Sequence, residues 1–94
     1  MDFEFDPAKS AANREKHGID FAEAQDLWDV WGYEKELPFA IEPRRMRTAP
    51  WKDRFWTTIY TLRSEKIRLI SVRRARKEEM DDYDAARSGN SVLR

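Results

Sequence analysis

Residues 55–62 read Phe-Trp-Thr-Thr-Ile-Tyr-Thr-Leu, and every one except Leu62 is β-branched or aromatic. Such side chains fit a pleated, half-buried surface and lose rotamer freedom in a helix, so the stretch predicts a strand. Arg63-Ser64-Glu65-Lys66 follows as a polar turn, and Ile67–Val72 resumes the apolar pattern. Two such runs joined by a short polar connection predict an antiparallel hairpin. That hairpin decides the fold, because the rest of the chain must extend or cover its sheet.

Working back from it, Arg44–Thr48 reads as a weak strand between Pro43 and Pro50, and Tyr33–Leu37 as a short one limited by Pro38. Further upstream the pattern is helical. Asp6-Pro7 is a helix start, with Asp as N-cap and Pro where its missing N–H costs nothing. The helix runs over Pro7–His17 and stops at Gly18. Ala8, Ala11, Ala12 and Glu15 form a small-residue face suited to close packing, and Lys9, Asn13, Lys16 and His17 share the other face. Asp20 with Glu23 makes a capping-box pattern, and Phe21, Ala24, Leu27, Trp28 and Trp31 continue as an apolar stripe up to Gly32. Phe3-Glu4-Phe5 is a short extended opening.

Downstream, a last helix is predicted over Lys77–Arg87 with Met80, Tyr83, Asp84 and Arg87 on one stripe. The expected architecture is α+β: an N-terminal helical hairpin, an antiparallel sheet of three to four strands covered on one face, and a C-terminal helix. Residues 1–87 are expected to form one domain, and residues 88–94 a flexible tail.

Ninety-four residues suffice for one domain and not two. Mean hydropathy is −0.90, yet four Trp, three Tyr and five Phe let a small core form. The longest uninterrupted apolar run is Phe39-Ala40-Ile41, far short of a membrane span or a signal peptide. No cysteine is present, so disulfides, thiolate zinc sites and thiol nucleophiles are excluded. One histidine cannot build a multi-His metal site, and three glycines make no phosphate-cradling loop. The expectation is a cytoplasmic domain that works without metal or cofactor.

The net charge of zero conceals a strong asymmetry. Residues 1–43 carry −7, residues 44–77 carry +10 and residues 78–94 carry −3. Nine of the twelve bases in the middle block are Arg, which favours planar recognition of phosphate or carboxylate. The plain structural reading offsets these bases against acidic helices of the same domain. The functional reading is a surface for a polyanion such as RNA.

Two blocks of sequence resemble a known family. Phe3-Glu4-Phe5-Asp6-Pro7-Ala8-Lys9, Asn13, Lys16-His17-Gly18-Ile19, Phe21 and Glu23-Ala24 are similar to the opening of the BrnT toxins. Tyr60–Arg63, Ile67–Ala75, Glu78 and Tyr83 are similar to the second half, while residues 33–56 depart from the pattern. The resemblance implies a RelE-like fold and a type II toxin, an endoribonuclease that inhibits translation. It also implies a BrnA-like antitoxin that neutralises the toxin in a heterotetramer and supplies the contact with DNA.

Metal-free RNA cleavage uses the ribose 2′-OH as nucleophile. A group must take that proton, the leaving 5′-oxygen must be stabilised, and cations must balance charge on phosphorus. Histidine is the side chain suited to proton transfer near neutrality, and His17 is the only one; a lone His beside a glycine is more often a helix cap. Arg68 and Arg73 flank the apolar core of the last strand and fall on opposite faces by parity unless a bulge intervenes. With Tyr83, which fits a core stripe as well, these are the catalytic candidates. Lys16, Trp51, Arg63, Lys66 and Arg74 are the candidate RNA contacts, Trp51 by stacking and the others at phosphates; Trp56 reads as core. Two other functions fit the same residues: a non-catalytic adaptor that binds RNA, and a module whose arginines dock an acidic protein.

Overall fold

The computed structural model describes residues 2–38 and 41–89. In chain order it contains strand β1 (Asp2–Glu4), helix α1 (Pro7–His17), helix α2 (Phe21–Ala24), a 3₁₀ turn (Gln25–Trp28) and strand β2 (Tyr33–Leu37). Strands β3 (Arg44–Trp51), β4 (Arg54–Arg63) and β5 (Lys66–Arg74) follow, then helix α3 (Lys77–Ser88). The class is α+β, as expected. The sheet differs from expectation in two ways: it has five strands in the order β1-β5-β4-β3-β2, and it is mixed. β1 pairs parallel with β5, Phe3 opposite Ile67 and Glu4 opposite Arg68. Phe3 meets the Trp28 ring edge-on at 5.2 Å, and Glu4 pairs with Arg68, so this three-residue strand is anchored by side chains from distant segments.

The β4–β5 hairpin closes through Ser64 and Glu65, both at positive φ (52° and 67°), and the β3–β4 hairpin through Lys52 and Asp53 in the same way. Two consecutive left-handed residues give the backbone twist that matches flanking strands. β3 runs three residues past the predicted end, through Pro50. β2 reaches only Thr48, so β3 has an open side beyond it, where a proline is tolerated.

Helices lie on both faces, not one. Alternate residues Trp56, Tyr60, Leu69 and Val72 pack with Ile19, Phe21, Ala24 and Leu27 to form the core. The intervening face carries Phe55 and Thr57, which meet Tyr83 and Glu79 of α3. The second arm of the helical hairpin is a single turn of α2 followed by 3₁₀ geometry, shorter than the apolar stripe suggests. Arg47 explains the early stop: its guanidinium donates to the carbonyls of Leu27 (3.1 Å) and Val30 (2.7 Å), groups a longer helix would have used. The capping box is present as read, with Glu23 N–H to Asp20 at 2.7 Å and Asp20 N–H to Glu23 at 3.1 Å. Gly18 caps α1 at φ 85°.

α1 does not use its alanine face for packing. Ser10 and Asn13 are buried instead, and Ala8, Ala11, Ala12 and Glu15 face water. Specific acceptors and donors explain the choice. Ser10 Oγ accepts the Phe21 N–H, and the Asn13 amide bonds to three backbone groups that have no other side-chain partner. Ser88 ends α3 and Gly89 caps it; residues 90–94 of the expected tail lie outside the described residues. No helix among the described residues is long and apolar enough to cross a membrane.

Candidate RNA-cleavage site

Two devices set α1 against β5 and decide which β5 side chains share a face. The first is Asn13. Its Nδ2 donates to Ile19 O (2.8 Å) and Val72 O (2.9 Å), and its Oδ1 accepts from Val72 N–H (3.2 Å). β1 covers the outer edge of β5 only at residues 66–68, and Asn13 takes the place of a strand further along, at Val72. The helix is thereby clipped to the sheet edge.

The second device is a bulge. The pairing of β4 with β5 slips between Ile59 and Tyr60, so that Ser71 opposes Ile59 and Leu69 opposes Tyr60 while Ile70 is left over. One extra residue reverses the parity of everything beyond it. Arg68 (opposite Thr61) and Arg73 (opposite Thr57) therefore share one face, together with Ser71. The parity expectation of opposite faces fails at this point, for the reason the sequence allowed.

Between those arginines, a depression of about 290 Å³ is lined by Lys9, Ala12, Asn13, Lys16 and His17 of α1 and by Ile70 and Ser71 of β5. Lys9, Lys16 and His17 have no ion pair or side-chain hydrogen bond among the described residues. Lys9 and Lys16, cations that share a wall without counter-charges, are available for an anion. Lys9 and Ser71 belong to this wall though sequence reasoning did not select them as site residues. For Lys9 the signal was present, since it shares the helical face of Lys16 and His17.

The remaining candidates are dispersed. Arg68 pairs with Glu4 at 3.4 Å and stays partly exposed. Arg73 is held bidentately by Glu79 at 2.9 and 2.8 Å, an arrangement that raises its pKa, chiefly through the hydrogen bond to that carboxylate. Burial pushes the Glu79 carboxyl up, but Arg73, the Arg76 amide and Thr57 outweigh it and bring it down to about 2. Tyr83 is buried, its ring edge-on to Phe55 (4.9 Å) and Trp31 (5.1 Å), on the part of α3 that packs toward β2 and β3.

Arg63 and Lys66 lie at the β4–β5 turn, where Arg63 binds Glu42 at 2.8 Å and Lys66 is exposed. Trp51 and Arg74 are at the opposite end of the sheet. Trp51 donates its indole N–H to Asp26 (3.1 Å), with Lys52 over its ring at 4.7 Å. Arg74 lies over Trp56 at 5.8 Å, and Trp56 is buried as read.

The basic block is thus partly spent inside the molecule. Arg45, Arg47, Arg63, Arg68, Arg73 and Lys77 all contact carboxylates of the same chain. Glu34 alone takes Arg47 at 2.6 Å and the Tyr60 hydroxyl at 2.7 Å, and burial followed by that carboxylate raises the Tyr60 pKa. The cations left over on α1 come from outside the block.

Residues 5–79 match the model of a protein family described as the ribonuclease toxin BrnT of type II toxin–antitoxin systems. No curated protein matches the chain. The matched span is most of the chain, and the protein belongs to that family of toxins, whose type II systems pair each toxin with an antitoxin.

Proposed function

We propose that this BrnT-family toxin is a metal-independent endoribonuclease that cleaves RNA in the depression between α1 and β5, arrests translation in the cytoplasm, and is neutralised by a BrnA-like antitoxin in a heterotetramer. Contact with DNA belongs to the antitoxin. Residues 1–87 act as one domain of RelE-like type. The observation that carries the reading is the gathering of His17 with two uncompensated lysines, Lys9 and Lys16, beside Ser71, which shares a sheet face with Arg68 and Arg73.

In this reading His17 takes the proton from the ribose 2′-OH as the 2′-oxygen forms its bond to phosphorus. The bond from phosphorus to the 5′-oxygen breaks, and the leaving oxygen receives a proton from water. Lys9, Lys16 and Arg68 stabilise the additional charge on the phosphoryl oxygens. Arg73 and Tyr83 support the site from behind. Arg73 holds Glu79 and fixes the end of β5, and Tyr83 seats α3. Of the candidate RNA contacts, Lys16 touches the scissile phosphate region, while Arg63, Lys66, Trp51 and Arg74 follow the strand away from it.

Purified toxin in EDTA should degrade single-stranded RNA over many turnovers. His17→Ala should lower the rate by about 10²–10⁴-fold, the usual contribution of general acid–base catalysis, at unchanged thermal stability. A folded His17→Ala protein as active as its parent would remove this site from the mechanism.

A further inference from the structure

We propose that the surface at the β4–β5 turn end of the sheet, built around Arg45 and Leu62, docks an antitoxin segment that presents a carboxylate beside an aliphatic side chain. The identity of the partner rests on the toxin–antitoxin family. The proposal does not depend on the cleavage site at α1.

Two depressions, of about 380 and 290 Å³, share Arg45 and Leu62 and so form one continuous surface around the sheet end. Leu62 is 54% exposed, and Ile41, beside the Glu42 that pairs with Arg63, is fully exposed. Leu37 and Pro43 complete an aliphatic lining. Apolar side chains held in water at one place mark an interaction surface more than a solvated one.

The polar half of the surface lacks a partner. The Arg45 Nε–H is buried and has no acceptor. Its nearest carboxylate, Glu34, stands 3.8 Å from Nη2 and is already occupied by Arg47 and Tyr60. The Arg45 side chain as a whole is 38% exposed, so its outer guanidinium nitrogens, unlike the buried Nε–H, are open to a carboxylate from outside. Arg44, the neighbouring residue, is exposed and has no ion pair among the described residues.

The chemistry favours a peptide over RNA. Glu34 and Glu36 border the surface, on the face of the sheet opposite Arg63 and Lys66, so it tolerates one carboxylate and repels a run of phosphates. Its aromatic rings, Trp28 and Tyr60, stand edge-to-face against each other at 5.2 Å and offer no paired stacking faces to bases. An aliphatic anchor beside a charge that fixes register is the pattern of a protein interface.

The test is calorimetric titration of the full-length toxin with the antitoxin from its own operon. Leu62→Glu and Arg44→Glu alter exposed side chains, and thermal unfolding of the free variants confirms that they fold. Each should weaken antitoxin binding at least tenfold, with RNA cleavage by the free toxin within twofold of the parent. Arg45→Lys, which keeps the charge and loses the planar guanidinium fork, should weaken binding by a smaller factor. Binding within twofold of the parent for both glutamate variants overturns the proposal. So does a loss of RNA affinity with antitoxin binding intact, which assigns the surface to the RNA path. A toxin that shows no cleavage refutes the α1 site and leaves this binding measurement standing.

Discussion

Arg73 and Glu79 meet side by side, Nη1 to Oε1 at 2.9 Å and Nη2 to Oε2 at 2.8 Å, across the junction between β5 and α3. The same Oε1 accepts from the Thr57 hydroxyl and the Arg76 amide, so one buried carboxylate ties β4, β5 and the start of α3 together. Removing one member of a buried pair strands the other charge, which typically destabilises by 3–5 kcal/mol. Arg73→Ala should therefore lose about 3 kcal/mol in urea denaturation. Replacing both residues, Arg73→Met with Glu79→Leu, should recover most of it. A loss under 1 kcal/mol for the single change would show that the pair contributes little.

The same carboxylate makes stability depend on acid. Its pKa is about 2 in the folded protein against an ordinary 4.5. A group whose folded value is depressed stabilises fully above its unfolded value, and that contribution disappears as pH falls through the folded one. The difference corresponds to about 3 kcal/mol, lost between roughly pH 4.5 and 2. The urea midpoint of the parent should fall across that window, and Glu79→Gln should show a flatter profile there. Equal slopes for the two proteins would place the acid sensitivity elsewhere.

How much of this could be read from the residues divides by the range of the interaction. The β4–β5 hairpin, the Asp6 and Asp20 caps and the stop at Gly18 depend on neighbours a few positions away, and all are present. The bulge at Ile70 has no such marker. No glycine or proline stands there, yet the one skipped residue decides that Arg68 and Arg73 share a face. The packing face of α1 was misread because apolar periodicity favours the alanines, whereas Asn13 is drawn inward by the carbonyl of Val72, 59 residues away. Charge was legible as a sum and not as a map. The partners of Arg47, Arg63, Arg68 and Arg73 come from β2, the loop at Glu42, β1 and α3, so local composition overstated the free positive surface.

Asn13 supplies a second stability test, tied this time to the site. Asn13→Ala removes three hydrogen bonds and leaves the carbonyls of Ile19 and Val72 and the Val72 N–H without their side-chain partner. At about 1 kcal/mol per bond, the loss should approach 3 kcal/mol. Hydrogen exchange should accelerate first at Val72 and along the last turn of α1. Asn13→Asp should be no better, because a carboxylate cannot donate to either carbonyl. Exchange unchanged at Val72 in a folded Asn13→Ala protein would mean that α1 is held to the sheet by other contacts.

The last prediction separates the cations of α1 from those of the strands. Binding to single-stranded RNA releases counterions, and each phosphate contact adds about −0.7 to the slope of log affinity against log salt. Lys9 and Lys16 line the depression and have no carboxylate partner among the described residues, so both are free to contact phosphate. Lys9→Ala and Lys16→Ala should each make the slope shallower by about 0.7, and the double variant by about 1.4. Arg63 already shares its charge with Glu42 at 2.8 Å, so Arg63→Ala should change the slope by less. The measurement is a fluorescence titration with a short RNA at several salt concentrations, using His17→Ala protein so that the ligand is not consumed. If the lysine variants keep the parental slope while Arg63→Ala reduces it, RNA follows the strand arginines and the α1 edge is not where the phosphates bind.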